Sequence, residues 1–201
     1  MPRTVFLLSP ANLGGLRAKQ LMSPRASFDA AVRYRSDEGV PIALAFAFMS
    51  ALYFRGKIAY ALEFGGIENT RIITTGFGLV PPDWCITEAR MKKMQKVDVD
   101  VNDRAYAKPL RETATSLAAE LDEDAQVVLL GSVATGKYVD ILWPIFGERL
   151  RFPAAFAGLG DMSRGGLMLR AARAGRELEY TTLDTPRHRP PGGSGKMPPL
   201  P

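Results

Sequence analysis

Apolar residues along this chain come in short runs separated by polar, glycine-rich and proline-rich stretches. Residues 4–10, TVFLLSP, form a brief apolar run cut off by Ser-Pro, the pattern of a buried strand and the loop after it. ANLGGLRAKQLM then supplies glycines and helix formers and predicts a helix from near Gly14. SFDAAVRYRSDEG (27–39) predicts a second helix, which Ser27 can cap and Gly39 can stop. Pro41 can open a third, with Leu44, Phe48 and Leu52 on one face. ALAFAFM also alternates small and large residues as a strand would, but its length favours the helix. RGKIAYALEFGG continues that helix to Gly65-Gly66.

RIITTGFGLVPP (71–82) reads as a second buried strand with a Gly/Pro loop, and EARMKKMQK (88–96) as a short charged helix. AKPLRETATSLAAELDED (107–124) predicts an amphipathic helix after Pro109, with Leu110, Ala114, Leu117 and Leu121 on one side. AQVVLLG (125–131) is a third strand, and KYVDILWPIFG (137–147) a helix kinked or ended near Pro144. RLRFP (149–153) is a fourth strand, Ser163 can cap a helix running to Gly175, and LEYTTL (178–183) is a fifth strand. Strands alternating with helices predict an α/β fold. It is a single three-layer domain over residues 1–184, with a central, mostly parallel sheet of about five strands covered on both faces.

Composition changes this picture mainly at the C-terminus. Residues 185–201 hold six of the fifteen prolines, together with Arg187, Arg189 and Lys196 and no acid. They are expected to form a disordered basic tail. That tail carries +3 of the net charge of +5, which leaves only +2 for the body. A nearly balanced body argues against a broad non-specific DNA-binding surface, though not against a local basic cleft. One cysteine, Cys85, excludes an internal disulfide framework, and a single histidine, His188, leaves few soft ligands. No metal site and no cofactor are therefore expected, and any catalysis would lean on carboxylates, Lys, Tyr or Ser. The apolar run Val5–Leu8 is too short for a signal peptide and Ile42–Phe54 too short to span a bilayer, so a soluble cytoplasmic protein with no membrane contact is expected.

In a mostly parallel sheet, ligands sit beyond the carboxyl ends of the strands. Four loops qualify. SPANLGG (9–15) offers Ser9 and Asn12, with Arg17 one turn into the next helix. TTGFGLVPPD (74–83) offers Gly76 and Gly78, with Asp83 at its end. GSVATGKY (131–138) has the G-x-x-x-x-G-K spacing of a phosphate-cradling loop and presents Ser132, Thr135 and Lys137. Tyr138, however, replaces the small hydroxyl that would hold magnesium. The loop also follows the third strand rather than the first, and no apolar strand ending in Asp comes after it. FPAAFAGLGDMSRGG (152–166) brings Asp161, Ser163 and Arg164 to a predicted helix start, where an anion could bind. LYFRGK (52–57) adds Tyr53, Arg55 and Lys57, an aromatic with cations that could stack on a base or hold a phosphate. VDVDVND (97–103) imitates a calcium loop but has Asp103 where glycine is needed.

Two of these stretches carry a family resemblance. LLSPAN at the first strand resembles the Ser-Pro-Ala opening of the YaaA-type peroxide-stress proteins. TTGFGLVPPDWCI resembles the Gly-Leu-x-x-Pro segment of that group and of related small bacterial domains. LYFRGKIAYA is similar to their Leu-Tyr-containing helix, so the likeness spans roughly residues 4–90. It implies a fold distantly like that of uracil-DNA glycosylases and an association with DNA damage, oxidative stress or modified nucleobases. The lysine that follows Ser-Pro-Ala in that group is Asn12 here. The leading expectation is thus a nucleobase- or nucleic-acid-associated protein, with a metal-independent base-processing enzyme as its specific form. Arg17, Lys137 and Arg164 would hold phosphate, and Asp161 would be the working carboxylate, with Asp140 and Asp83 behind it. Two alternatives are a nucleotide-binding enzyme or phosphotransferase using residues 131–137, and a non-catalytic DNA- or partner-binding protein served by its tail.

Overall fold

The computed structural model describes residues 2–182. The tail expected over 185–201, with His188, lies outside the described residues. The chain opens with β1 (Thr4–Leu8), α1 (Leu16–Leu21), α2 (Asp29–Arg35), β2 (Val40–Pro41), α3 (Ile42–Met49) and α4 (Ala51–Gly65). Next come β3 (Thr70–Thr74), β4 (Gly78–Val80), β5 (Cys85–Ile86), α5 (Glu88–Met94) and α6 (Arg104–Ala119). β6 (Gln126–Leu130), α7 (Val139–Phe146), β7 (Leu150–Pro153), α8 (Asp161–Arg173) and β8 (Tyr180–Thr182) complete the described chain.

Six strands form one sheet in the order β4-β3-β1-β6-β7-β8. β1 pairs in parallel with β3 and β6, and β6 with β7, while β4 and β8 run antiparallel at the two edges. The inner strands are apolar at successive positions because both of their faces are covered. Phe6, Leu8, Ile72, Val128 and Leu130 point into a core shared with α1 to α5 and α8. Val5, Leu7, Ile73, Val127 and Leu129 point into a second core under α6 and α7. This is the expected α/β layering around a mostly parallel sheet.

Several local expectations are corrected. The main sheet has six strands rather than five, because residues 78–80 leave the Gly/Pro loop and turn back beside β3. That turn needs left-handed backbone, which Gly76 (φ +86°) and Gly78 (φ +67°) provide. A two-stranded ribbon, β2 with β5, was not legible in strands this short. The long helix over 41–66 is two helices, broken where Ala51 adopts φ +47°. The face of α3 that packs inward is Ile42, Ala45, Phe46 and Met49, whereas Leu44 is 54% exposed. Neither Ser27 nor Ser163 caps a helix: the N-cap positions are Phe28 and Gly160, and neither makes a side-chain cap bond. α6 starts at Arg104 rather than after Pro109, because the Asp103 carboxylate accepts from Ala105 N at 2.8 Å and anchors the first turn. α7 contains Pro144 and ends at Phe146, two residues beyond it, close to where the proline was expected to end it. Among the described residues no helix is long and apolar enough to cross a membrane.

One helix crossing fixes the geometry of the site. α4 and α8 meet at Gly56 and Gly165, where each backbone occupies the space a Cβ would need. A Cβ on Gly165 would lie 2.7 Å from Leu52 O and 2.8 Å from Tyr53 Cα. The close approach brings Tyr53 and Lys57 of α4 up against the start of α8.

Candidate active site

Because β3, β1, β6 and β7 run in the same direction, the loops leaving them open on the same edge of the sheet. At its centre is Ser9, directly after β1. Its N–H donates to Leu130 O at 3.2 Å, which continues the β1–β6 pairing, and its residue is only 5% exposed. Gly131 follows β6 beside it. A Cβ at Gly131 would stand 3.0 Å from Ser9 Cβ and 3.2 Å from Ser9 Oγ, so the missing side chain leaves room for the serine. The first glycine of the G-x-x-x-x-G-K pattern thus has a packing reason.

Lys57 reaches Ser9 from α4. Its Nζ donates to Ser9 Oγ at 2.6 Å and to Ser9 O at 3.1 Å, and lies 3.8 Å from the centre of the Tyr53 ring. The residue is 1% exposed. Burial penalises the ammonium and pushes its pKa from 10.5 down to about 7, with Arg164 adding to the effect and Asp161 opposing it. Near neutral pH the amine is therefore partly unprotonated. A neutral amine has a lone pair and can accept the Ser9 hydroxyl proton.

Tyr53, Tyr138, Arg164 and Asp161 surround this pair. The Tyr53 phenol oxygen is buried with no hydrogen-bond partner. Burial and Asp161 raise its pKa. Arg164 and Ser9, which stand beside the phenol, oppose that rise. Tyr138 is held at about 12 by burial, with Ser9 favouring its ionised form. Its ring is buried in the core under α6 and α7. Arg164 donates to Phe156 O through Nε (3.3 Å) and a terminal nitrogen (3.1 Å). Its other terminal nitrogen faces Asp161 Oδ1 at 3.9 Å, across a gap too long for a hydrogen bond.

Five of the residues singled out from sequence therefore meet: Ser9, Tyr53, Lys57, Asp161 and Arg164. Others do not join them. Asn12 closes its own turn, accepting from Gly14 N at 2.9 Å. Arg17 is exposed and reaches Phe48 O at 3.4 Å. Gly76 and Gly78 shape the β3–β4 turn, and Gly78 packs on Pro109 and Thr113 of α6. Arg55 and Ser163 are exposed. Ser132 accepts from Ala134 N within its own loop, at 3.4 Å. Thr135 and Lys137 line a separate open depression of about 510 Å³ with Asp98, Val99, Asp100 and Val101. Asp140 is exposed and its carboxylate lies against Gly136, where a phosphate loop would need its backbone open to an anion. Among the described residues no three His, Cys, Asp or Glu side chains come together to hold a metal ion.

Tyr138 is the member that sequence reasoning did not nominate, and the sequence presents Lys57 only as a cation for a base or phosphate, not as a buried amine beside Ser9. A signal for Lys57 was present: a lysine one position after Gly56, four after Tyr53, at the end of an apolar run. That spacing puts Tyr53 and Lys57 on one helix face. Nothing in the sequence says that this face turns inward. No family model, no curated protein and no solved structure matches the chain.

Proposed function

We propose that this protein is an enzyme acting on a nucleobase- or nucleotide-type substrate without help from a metal, with Ser9 and Lys57 as its reactive pair. One observation carries the reading: the Lys57 amine, buried and partly neutral near pH 7, lies 2.6 Å from the Ser9 hydroxyl. In the reaction this supports, the Ser9 Oγ–H bond breaks, its proton moves to Lys57 Nζ, and Oγ attacks an electrophilic carbon of the substrate. The bond from that carbon to the leaving group breaks and the leaving group takes the proton from Lys57; water then gives a proton to Lys57 and attacks the same carbon, and Ser9 Oγ departs and takes that proton back. The substrate class rests on the YaaA-type resemblance of residues 4–90, which also points to DNA damage or oxidative stress as the setting. That group's lysine after Ser-Pro-Ala is absent here, and an amine reaches the site from α4 instead.

Labelling with a fluorophosphonate tests the pair. The expected result is a single adduct mapped to Ser9 by peptide mass spectrometry, lost in Ser9→Ala and strongly reduced in Lys57→Met. Chromatography of modified nucleosides incubated with the protein tests the substrate class. No Ser9 adduct on the folded protein, together with an unchanged nucleoside panel, would sink the proposal.

A further inference from the structure

The charges around the reactive pair do not balance. Arg164, a permanent cation with only 15% of its side chain exposed, stands beside the buried and partly protonated Lys57 amine. The acid nearest the Arg164 guanidinium is Asp161, at 3.9 Å, and its side chain is 68% exposed. Buried cations are ordinarily paired in good geometry, because losing hydration without a partner costs several kcal/mol. Arg164 has spent two donors on Phe156 O and holds its remaining terminal nitrogen toward the gap. The Tyr53 hydroxyl is a second buried group without a partner. A buried polar atom left unsatisfied in a folded protein calls for a reason, and a missing ligand is one. The first turn of α8, whose N–H groups no side chain caps, begins at the same place and adds partial positive charge.

We infer that Arg164 and Tyr53, beside Lys57, form a subsite for a phosphate-type anion. The inference rests on the reading of this cluster as a ligand site and names what the substrate carries: a phosphoryl group next to the atom that Ser9 attacks. The chemistry of the donors fits. A guanidinium nitrogen and a phenol hydroxyl supply charge-assisted hydrogen bonds to phosphate oxygens. Asp161, 68% exposed and 3.9 Å from the Arg164 nitrogen, is the weakly held acid that the anion would replace. Lys137, which the phosphate-loop spacing nominates, lies on the separate depression and takes no part.

Isothermal titration of the full chain with inorganic phosphate at constant ionic strength tests this. The wild type should bind phosphate in preference to chloride. Tyr53→Phe removes one hydroxyl that has no partner in the free protein, so it should fold normally and bind at least about fivefold more weakly, the loss of one hydrogen bond. Arg164→Gln should abolish binding, and Lys137→Gln should leave it unchanged. No phosphate binding by the wild type, or equal binding by wild type and Tyr53→Phe, overturns the subsite, as does loss of binding in Lys137→Gln. Ser9 labelling without phosphate binding refutes the subsite and leaves the reactive pair standing. Phosphate binding that is sensitive to Tyr53 but comes without Ser9 labelling supports the subsite and refutes the nucleophile.

Discussion

Replacing Lys57 by Met tests the protonation state on which the proposed chemistry depends, and it does so without a substrate. The ordinary lysine pKa is 10.5, and burial lowers that of Lys57 to about 7. The unfolded chain therefore holds this proton more tightly than the folded protein does between those two values. Below about pH 7 both states carry the charge, and the folded state bears the full cost of burying it. As pH rises through the window the folded protein sheds the proton first, so stability increases with pH. Each tenfold change in proton affinity is worth about 1.4 kcal/mol. The whole gap is worth roughly 5 kcal/mol, of which roughly 3 falls between about pH 6 and about pH 9. Methionine is similar in length and cannot titrate, but it leaves the Ser9 carbonyl and hydroxyl without their donor. That costs about 1–3 kcal/mol at every pH. The assay is urea unfolding of both proteins across the pH range. The tyrosines that burial raises titrate alike in both, so the difference between the two curves isolates Lys57. Wild-type stability minus that of the Met variant should climb by roughly 3 kcal/mol from about pH 6 to about pH 9. A flat difference would show that Lys57 is charged throughout, and the general-base role would fall with it.

Three further outcomes follow from the packing. Gly165→Ala places a methyl against Leu52 O and the Tyr53 backbone, so it should cost about 1–3 kcal/mol in chemical denaturation. It should also weaken phosphate binding, since it pushes α8 away from α4. Gly131→Ala puts a carbon 3.0 Å from Ser9 Cβ; fluorophosphonate labelling of Ser9 should drop while circular dichroism shows the sheet intact. Asp103→Ala removes the α6 cap and should lower the midpoint of thermal unfolding by the equivalent of about 1 kcal/mol without changing labelling.

By itself the sequence determined the layering. Four-residue apolar runs such as VFLL and VVLL have nowhere polar to face, so they must be central strands covered on both sides, and the intervening amphipathic segments must be the covers. Strand direction then followed from the helical crossovers, and with it the edge on which Ser9, Asp161 and Arg164 would open. The sequence could not show β4 or the β2–β5 ribbon, whose two or three residues carry no periodicity and exist only because a partner strand is in place. It could not show the break at Ala51 either, which separates α3 from α4 and so sets the direction of α4. The site depended on the tertiary structure for the same reason. Lys57 reads as a cation for a base or a phosphate until the Gly56–Gly165 crossing packs α4 against α8 and excludes water from the amine. Lys137 reads as a phosphate ligand until its loop is seen to turn toward a different surface. Spacing along a chain tells which side chains share a face. Which face loses its water, and so which lysine changes its chemistry, is decided by what packs on it from elsewhere.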